Sequence, residues 1–507
     1  MSRQMNCRLF SALKKVAFFS FIILMGACDF NGTKKSDKKD KYSGQDIVYE
    51  TAVLADVEGS WEKVKSFLSH TKIVTLEDDD PVNPKAKLAD HGKFVFLGDA
   101  IDHGPNPVKV LNFLLNLKER YPDRVFLILG NRDINKLRFN WELTDAGLKL
   151  DDDAAQGDLS RFRVAKWSEK FASWSASDAS EIDGVQVDYQ HGQDKEADRI
   201  LKLKWMLTDT FGAVNSFKNY KIEAGIQSDR DAMTSYLALT KKDGLLAKYL
   251  KKSQLIYLDD DSETLYVHGG LNRENVGVIP KVKSPSTDLK NWLAFDGEFK
   301  GWIAELNQWA QKSIDAGIEG DGKAAIDLVE YQEPPVVSGD WKGFNNRSVI
   351  LARPWVKGSN LGMIDDEMTQ WLKNQGVKRL VFGHSPVGDL PVFMKKNGFE
   401  MVACDTSFAG SGENASVSIT KDQVLMTSRL VQKDPQTKAV TLDVLVKTDS
   451  RVASHGSFKV KTVDQKPDRL IWTIGGLASG KTVRGYWYEN TLPNGRKVIS
   501  PKYLISK

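Results

Sequence analysis

One junction recurs along this chain and constrains its fold more than any other feature. An apolar β-type run ends in glycine beside an aspartate, asparagine or histidine. It appears as Asp56-Val57-Glu58-Gly59, Gly98-Asp99-Ala100-Ile101-Asp102-His103-Gly104, Gly130-Asn131-Arg132-Asp133, His268-Gly269-Gly270 and Gly383-His384-Ser385-Pro386. Amphipathic helical stretches, WEKVKSFLSH and PVKVLNFLLNLKERY, separate the first three. Strand, loop, helix, strand is an α/β signature. In such sheets ligands gather outside the carboxyl ends of the strands. Carboxylate, amide and imidazole groups meeting there make an N/O metal site, and glycine neighbours let the backbone turn sharply beside a ligand. Each junction alone is a weak signal; five in order, each after a strand, are a strong one. Of the seven histidines, three (His103, His268 and His384) fall inside these junctions.

Residues 140–255 read differently. Trp, Leu and Lys recur with helical spacing in FRVAKWSEKFASW and ILKLKWMLTDTFGAVNSFKNY, which predicts a helical insertion. The sheet pattern resumes at TLYVHGG, the segment around Leu289–Ile314 reads as helical, SVILARPW reads as a strand, MIDDEMTQWLKNQ as a helix, and VKRLVFGHSPVGDLP as a strand ending in a Gly-His loop. From about Ala415 alternating β-type stretches dominate, so a β-rich region is expected over 415–507.

The motifs together resemble the calcineurin-like metallophosphoesterases, particularly the serine/threonine phosphoprotein phosphatase branch. That family's pattern is GD-x-HG, GD-x-x-DRG, GNHE, HGG and a late His; here the elements stand as ADVEG, GDAIDHG, GNRD, HGG and GHSP. The resemblance covers roughly residues 47–410. It implies an α/β fold, a two-sheet αββα sandwich, with two divalent metal ions (Mn, Mg, Fe or Zn) between the sheet edges. By the same resemblance Asp99 bridges both metals, Asn131, His268 and His384 complete the second metal's ligands, and Asp56 binds the first. The family's histidine partner to Asp56 is Glu58 here, so the first position becomes all-oxygen, which favours Mg, Mn or Ca.

A second departure concerns the proton donor. The family's histidine after the asparagine is Arg132 here, and its arginine after the GD-x-x-D aspartate is His103. With Asp102 kept between them in role, either His103 acts as general acid while Arg132 grips phosphate by its fork, or His103 is merely loop-exposed and the acid is lost. The first alternative requires Asp102 to raise the His103 pKa above its ordinary value of about 6.5. Arg353 resembles a second phosphate-binding arginine, and Asp405 is a candidate to orient a metal-bound histidine. The implied reaction is hydrolysis of a phosphomonoester, with a metal-activated water attacking phosphorus.

The N-terminus carries Arg3, Arg8, Lys14 and Lys15 before the apolar run Val16–Ala27. A run of that length rises about 18 Å as a helix, short of a roughly 30 Å hydrocarbon core, and so reads as a secretory signal. Its end, Leu24-Met25-Gly26-Ala27-Cys28, resembles the bacterial lipoprotein signal, which implies lipidation at Cys28. Of the three cysteines only Cys404 would remain unmodified, which excludes an internal disulfide framework. Residues 1–45 hold nine Lys/Arg and three Asp/Glu; taken from totals of 71 and 67, they leave a slightly acidic body with 62 and 64. The basic pI of 8.6 therefore gives no support for a nucleic-acid partner.

The expected organisation is a signal peptide over 1–27, a polar tether over 28–46, a phosphoesterase domain over 47–414 and the β-rich region beyond. The expected protein is an exported, membrane-anchored phosphatase of the bacterial cell envelope acting on phosphorylated proteins or small molecules. Two alternatives stand beside it: a bis-nucleoside tetraphosphatase-like hydrolase, suggested by GDAIDHGPNPVKVLNFL, and a binding or scaffold lipoprotein that has lost catalysis through Glu58 and Arg132.

Overall fold

The structure, a computed structural model, describes residues 49–148, 181–186, 194–280, 298–320, 327–329, 331–332, 347–353, 355–356, 360–361, 363–385, 391–406, 415–433, 440–450, 461–462, 470–478, 481–491 and 497–504. Cys28, the leader, the tether and FRVAKWSEKFASW lie outside them.

The apolar runs form two sheets. In the first, Glu50–Leu54, Gly92–Phe96, Val125–Ile128 and the short Ser253–Gln254 pair in parallel. In the second, Thr264–Val267, Arg379–Phe382 and Phe399–Ala403 run parallel, flanked by the antiparallel strands Ile256–Asp259 and Val392–Lys396. Side chains alternate across a strand. Val53, Val95, Leu97 and Ile128 therefore meet Tyr266, Val381, Val402 and Cys404 in an apolar layer between the sheets. Their neighbours Leu54, Phe94 and Phe96 belong instead to a cluster with Val64 and Phe67 of helix Trp61–His70 and Val110 and Leu114 of helix Pro107–Arg120. Leu265, Val267, Leu380 and Phe382 share that cluster with Trp302 and Leu306 of helix Phe299–Glu319 and Met368 and Leu372 of helix Asp366–Asn374. Both faces of each sheet are covered, which is why these strands read as unbroken apolar runs. The result is the αββα sandwich.

Within 140–255 the described residues include helices Lys195–Trp205, Ser216–Glu223, Asp229–Ala238 and Leu245–Lys251. Asp194 and Ser228 start two of them by accepting hydrogen bonds from first-turn N–H groups. Ile200, Leu203, Phe217, Tyr220, Met233 and Tyr236 close a core of their own onto Phe139.

Two features differ from the sequence reading, and the expected β-rich stretch is present. SVILARPW is not a strand up to Arg353: Ser348–Leu351 form a turn, with Ala352 N donating to Ser348 O at 3.0 Å. Val349 and Ile350 are apolar because the turn is buried against the sandwich, not because they alternate in a ladder. A hairpin of Val74–Asp78 and Lys85–Leu88 was not anticipated, since only Val74, Ala86 and Leu88 of its strand residues are buried and Glu77, Asp78, Lys85 and Lys87 are charged. The β-rich segment beyond residue 415 continues the first sheet: Ser416–Ile419 pairs antiparallel with Glu50–Leu54, and Val417, Ile419, Val424 and Met426 enter the layer between the sheets.

Candidate metal centre

Three of the five junctions leave their strand through backbone that L-residues avoid. Nine non-glycine residues among those described have positive φ, and five belong to the candidate site: Asp56 (38°), Glu58 (49°), Asp99 (57°), Asp102 (151°) and His384 (61°). Such conformations cost about 1–3 kcal/mol each and persist where the surroundings over-determine them. Here they are tied by hydrogen bonds between loops. Glu58 N donates to Asp99 O at 2.8 Å, Gly104 N to Glu58 O at 2.6 Å, and Gly383 N to His268 O at 2.8 Å. Two glycines are required by close approach. A Cβ on Gly130 would lie 2.2 Å from Asp99 Oδ1, and one on Gly383 would lie 2.3 Å from Asp56 Oδ2.

The first sheet supplies Asp56, Asp99 and Asn131, and the second supplies His268 and His384. His268 Nδ1 lies 2.7 Å from Leu97 O. A carbonyl only accepts, so Nδ1 carries the proton and Nε2 is the atom presented to the site. Nε2 lies 3.1 Å from Asn131 Oδ1 and 3.4 Å from Asp99 Oδ1. His384, its ring centroid 5.0 Å from that of His268, has a buried Nε2 with no hydrogen-bond partner among the described residues. Ligand atoms of Asp99, His268 and His384 all lie within 4.8 Å of one another. The lone pairs of two imidazoles, an amide oxygen and a carboxylate thus converge without enough protons to join them. That donor set fits a divalent cation of the Mn, Fe or Zn type.

The electrostatics divide these groups: Asp99 and His384 are held in the forms a cation needs, while His268 and Asp56 are drawn toward protonation. Burial opposes ionisation of Asp99, but His268, Arg132 and His384 hold its pKa well below the carboxylate range. Burial pushes His268 down, and Asp99 outweighs it, so its pKa is raised. Burial, Arg353 and His268 push His384 far below its ordinary value, which keeps its ring neutral and its lone pair available. Asp56 is pushed far up by burial and by Asp405, Asp99 and Glu58. Both of its oxygens accept from His384 N, at 3.1 and 3.2 Å.

Around Arg132 the arrangement differs from the expected acid–clamp pair. Arg132 Nε lies 2.8 Å from Glu58 Oε1, and Nη1 lies 3.2 Å from Asp102 Oδ2 and 3.0 Å from Phe211 O in the insertion. Asp102 Oδ1 receives Lys136 Nζ at 2.6 Å, with both side chains wholly buried. Asp102 therefore pairs with Arg132 and Lys136, and does not serve His103. His103 sits on the exposed side of its loop. Enough protein surrounds its imidazole that burial, helped by Arg132 and Lys136, lowers its pKa despite Glu58 and Asp102. The expected raised pKa is thus reversed, because burial, together with Arg132 and Lys136, outweighs Glu58 and Asp102.

Arg353 lies close enough to His384 to depress its pKa; burial brings Arg353 itself down to about 10, against the pull of Asp405. Sequence reasoning missed Asp133 and Lys136. Asp133 is completely buried and accepts from Asp99 N (3.0 Å), Ala100 N (2.8 Å), Gly130 N (3.1 Å) and Tyr249 Oη (3.2 Å), fixing the Asp99 and Asn131 junctions to each other. Its position three residues after Gly130 is the spacing of a helix-start capping residue, a signal present in GNRD. Lys136, four residues after Arg132, shares its helical face.

Residues 49–222 match the family described as calcineurin-like phosphoesterase. The chain is 46% identical over 48 residues to the serine/threonine-protein phosphatase PP2A-like PPG1 of Candida albicans, a stretch covering 10% of this chain and 12% of that one. It is 48% identical over 44 residues to the serine/threonine-protein phosphatase sitA of Aspergillus fumigatus, covering 9% and 11%. The matched stretch is thus a small fraction of those relatives' own length. Among solved structures, a cold-active protein-tyrosine phosphatase of a psychrophilic Shewanella aligns over 75% of this chain and 77% of its own, with 16% identity and a TM-score of 0.35. A protein serine/threonine phosphatase from Saccharomyces cerevisiae, described as similar to human phosphatase PP5, aligns over 84% of each chain with 12% identity and a TM-score of 0.32.

Proposed function

We propose that this chain, with its calcineurin-like phosphoesterase region, is a metal-dependent phosphatase that hydrolyses phosphomonoesters. The observation that carries this is the convergence of ligand atoms of Asp99, His268 and His384 within 4.8 Å of one another, with Asn131 Oδ1 3.1 Å from His268 Nε2, at the carboxyl ends of strands from both sheets. A divalent ion held by these four residues would supply Lewis-acid polarisation and water activation. The protein's own part is positional. Leu97 O fixes the tautomer of His268, Asp133 anchors the Asp99 backbone, and the positive φ at Asp99 and His384 aims both side chains inward. Arg353, whose charge acts on His384, is the proposed phosphate-binding guanidinium. Phosphoproteins are the proposed substrates, a reading supported by the serine/threonine phosphatase names of the curated relatives.

We further propose export and anchoring through a lipid on Cys28, supported by the sequence Leu24–Cys28 and the basic residues before it. More than one acyl chain, each contributing about 0.8 kcal/mol per buried CH2, would give stable attachment. A Cys28→Ser variant should lose labelling by a fatty-acid probe; equal labelling of both proteins removes the anchor.

The test of activity is hydrolysis of an aryl phosphate and of a phosphoserine peptide by the Mn-supplemented protein, beside an Asp99→Ala variant. Mn-dependent turnover abolished in the variant supports the reading. No turnover with any divalent metal refutes it.

A further inference from the structure

We infer that Arg132 supplies the positive charge at the Asp56 and Glu58 end of the site, and that the chain consequently holds one divalent cation, at Asp99, Asn131, His268 and His384. This rests on the metal-dependent reading above and specifies its stoichiometry.

The two oxygens of Asp99 face different surroundings. Oδ1 lies beside His268 Nε2 and receives Arg132 N at 2.9 Å. Oδ2 lies 3.6 Å from Arg132 Nε, the same atom that meets Glu58 Oε1 at 2.8 Å. The guanidinium is thus shared between the carboxylates that a second ion would need. Asp102 Oδ2 and Phe211 O fix it from the other edge, so it spans the Glu58 loop, the Asp99 loop and the helical insertion.

A second divalent ion using Glu58 and Asp99 Oδ2 would have to displace the guanidinium Nε that faces both of them, while Asp102 Oδ2 and Phe211 O hold its other edge in place. The guanidinium cannot yield by losing its proton, as an imidazole could, because arginine stays charged in proteins. If it stayed in place, it would repel the incoming ion at short range through a mostly buried path. Glu58 is already paired, and Asp56 is turned toward His384 N. Among the described residues, ligand atoms converge for Asp99, His268 and His384, and neither Asp56 nor Glu58 joins that group. The two departures noted in the sequence, Glu58 and Arg132, then have one physical meaning. Glutamate and arginine replace a ligand and its ion with an internal ion pair.

The test is Mn uptake by the full-length chain after chelation, counted by elemental analysis and read by electron paramagnetic resonance. The wild type should hold one Mn per chain with a single-ion spectrum. Arg132→Ala should hold two, with the spectrum of an exchange-coupled pair. Glu58→Gln, a near-isosteric second variant should Arg132→Ala fail to assemble, should still hold one. Two Mn and a coupled spectrum in the wild type would overturn the inference while leaving the metal-dependent reading intact. So would Arg132→Ala remaining at one, or Glu58→Gln losing an ion that the wild type holds. No Mn in the wild type would remove both readings together.

Discussion

The two ends of this site solve the same problem in opposite ways. Around His268 and His384, buried acceptors face one another with too few donors, and a cation would join them. Around Arg132, an equal crowding of carboxylates (Glu58, Asp102 and one edge of Asp99) is answered from within by a guanidinium and the Lys136 ammonium. Burial alone therefore does not mark a ligand site, since both ends are buried. What marks it is the balance of donors and acceptors after every internal partner has been counted.

The comparison can be broken first at its shared residue. Asp99→Ala should lose about 10³-fold or more in kcat/KM on an aryl phosphate and release bound Mn, because the lost stabilisation amounts to several kcal/mol. Retention of rate and metal together would mean that Asp99 joins neither end. The next largest effect belongs to the self-neutralised end. Lys136→Met removes a wholly buried cation from Asp102 and should cost about 3 kcal/mol in urea unfolding while Mn uptake persists. A loss too small to resolve would show that Arg132 alone neutralises Asp102.

A third prediction separates the insertion from the site. Asp229 receives Lys204 at 2.7 Å and Lys221 at 2.5 Å. Burial raises its pKa, but these two lysines prevail and the net shift is downward. A carboxylate with a lowered folded-state pKa stabilises the fold above its unfolded value of about 3.9 and loses that contribution as pH falls through the folded value. Asp229→Asn should therefore cost about 1.5–3 kcal/mol near neutral pH, a difference that closes in acid. A pH-independent difference would show that charge is not its source. The smallest effect is expected at His103. His103→Ala should slow alkyl and aryl phosphates alike and by less than the roughly 10²–10⁴-fold that removal of a general acid costs. A large effect confined to alkyl phosphates would restore His103 as the acid.

The strand ends were legible because their signals are local: an apolar run, a glycine, then a polar residue that no core would accept. Asp56, Asp99, Asn131, His268 and His384 come to one place because parallel strands put their carboxyl ends together. The pairing of Asp102 was not legible. It depends on Lys136, one helical turn past Arg132, and on Phe211 O, a backbone atom from an insertion far along the chain. A carbonyl has no residue type to read. SVILAR misled for a related reason: buried turns and buried strands are equally apolar, and only the backbone hydrogen bonds separate them.

Strand Glu50–Leu54, which carries the chain into Asp56, has Gly92–Phe96 on one side and Ser416–Ile419 on the other. Its first neighbour leaves the ribosome soon after it does, whereas its second emerges only when most of the polypeptide has been made. Throughout that interval one row of its N–H and C=O groups is unclaimed, beside apolar side chains such as Val53 that the later strands will cover. An unclaimed strand edge invites pairing with a neighbouring chain. A fragment ending before Ser416 would contain every candidate ligand yet be left with that raw edge, so cutting the chain at the last motif yields a product prone to aggregate.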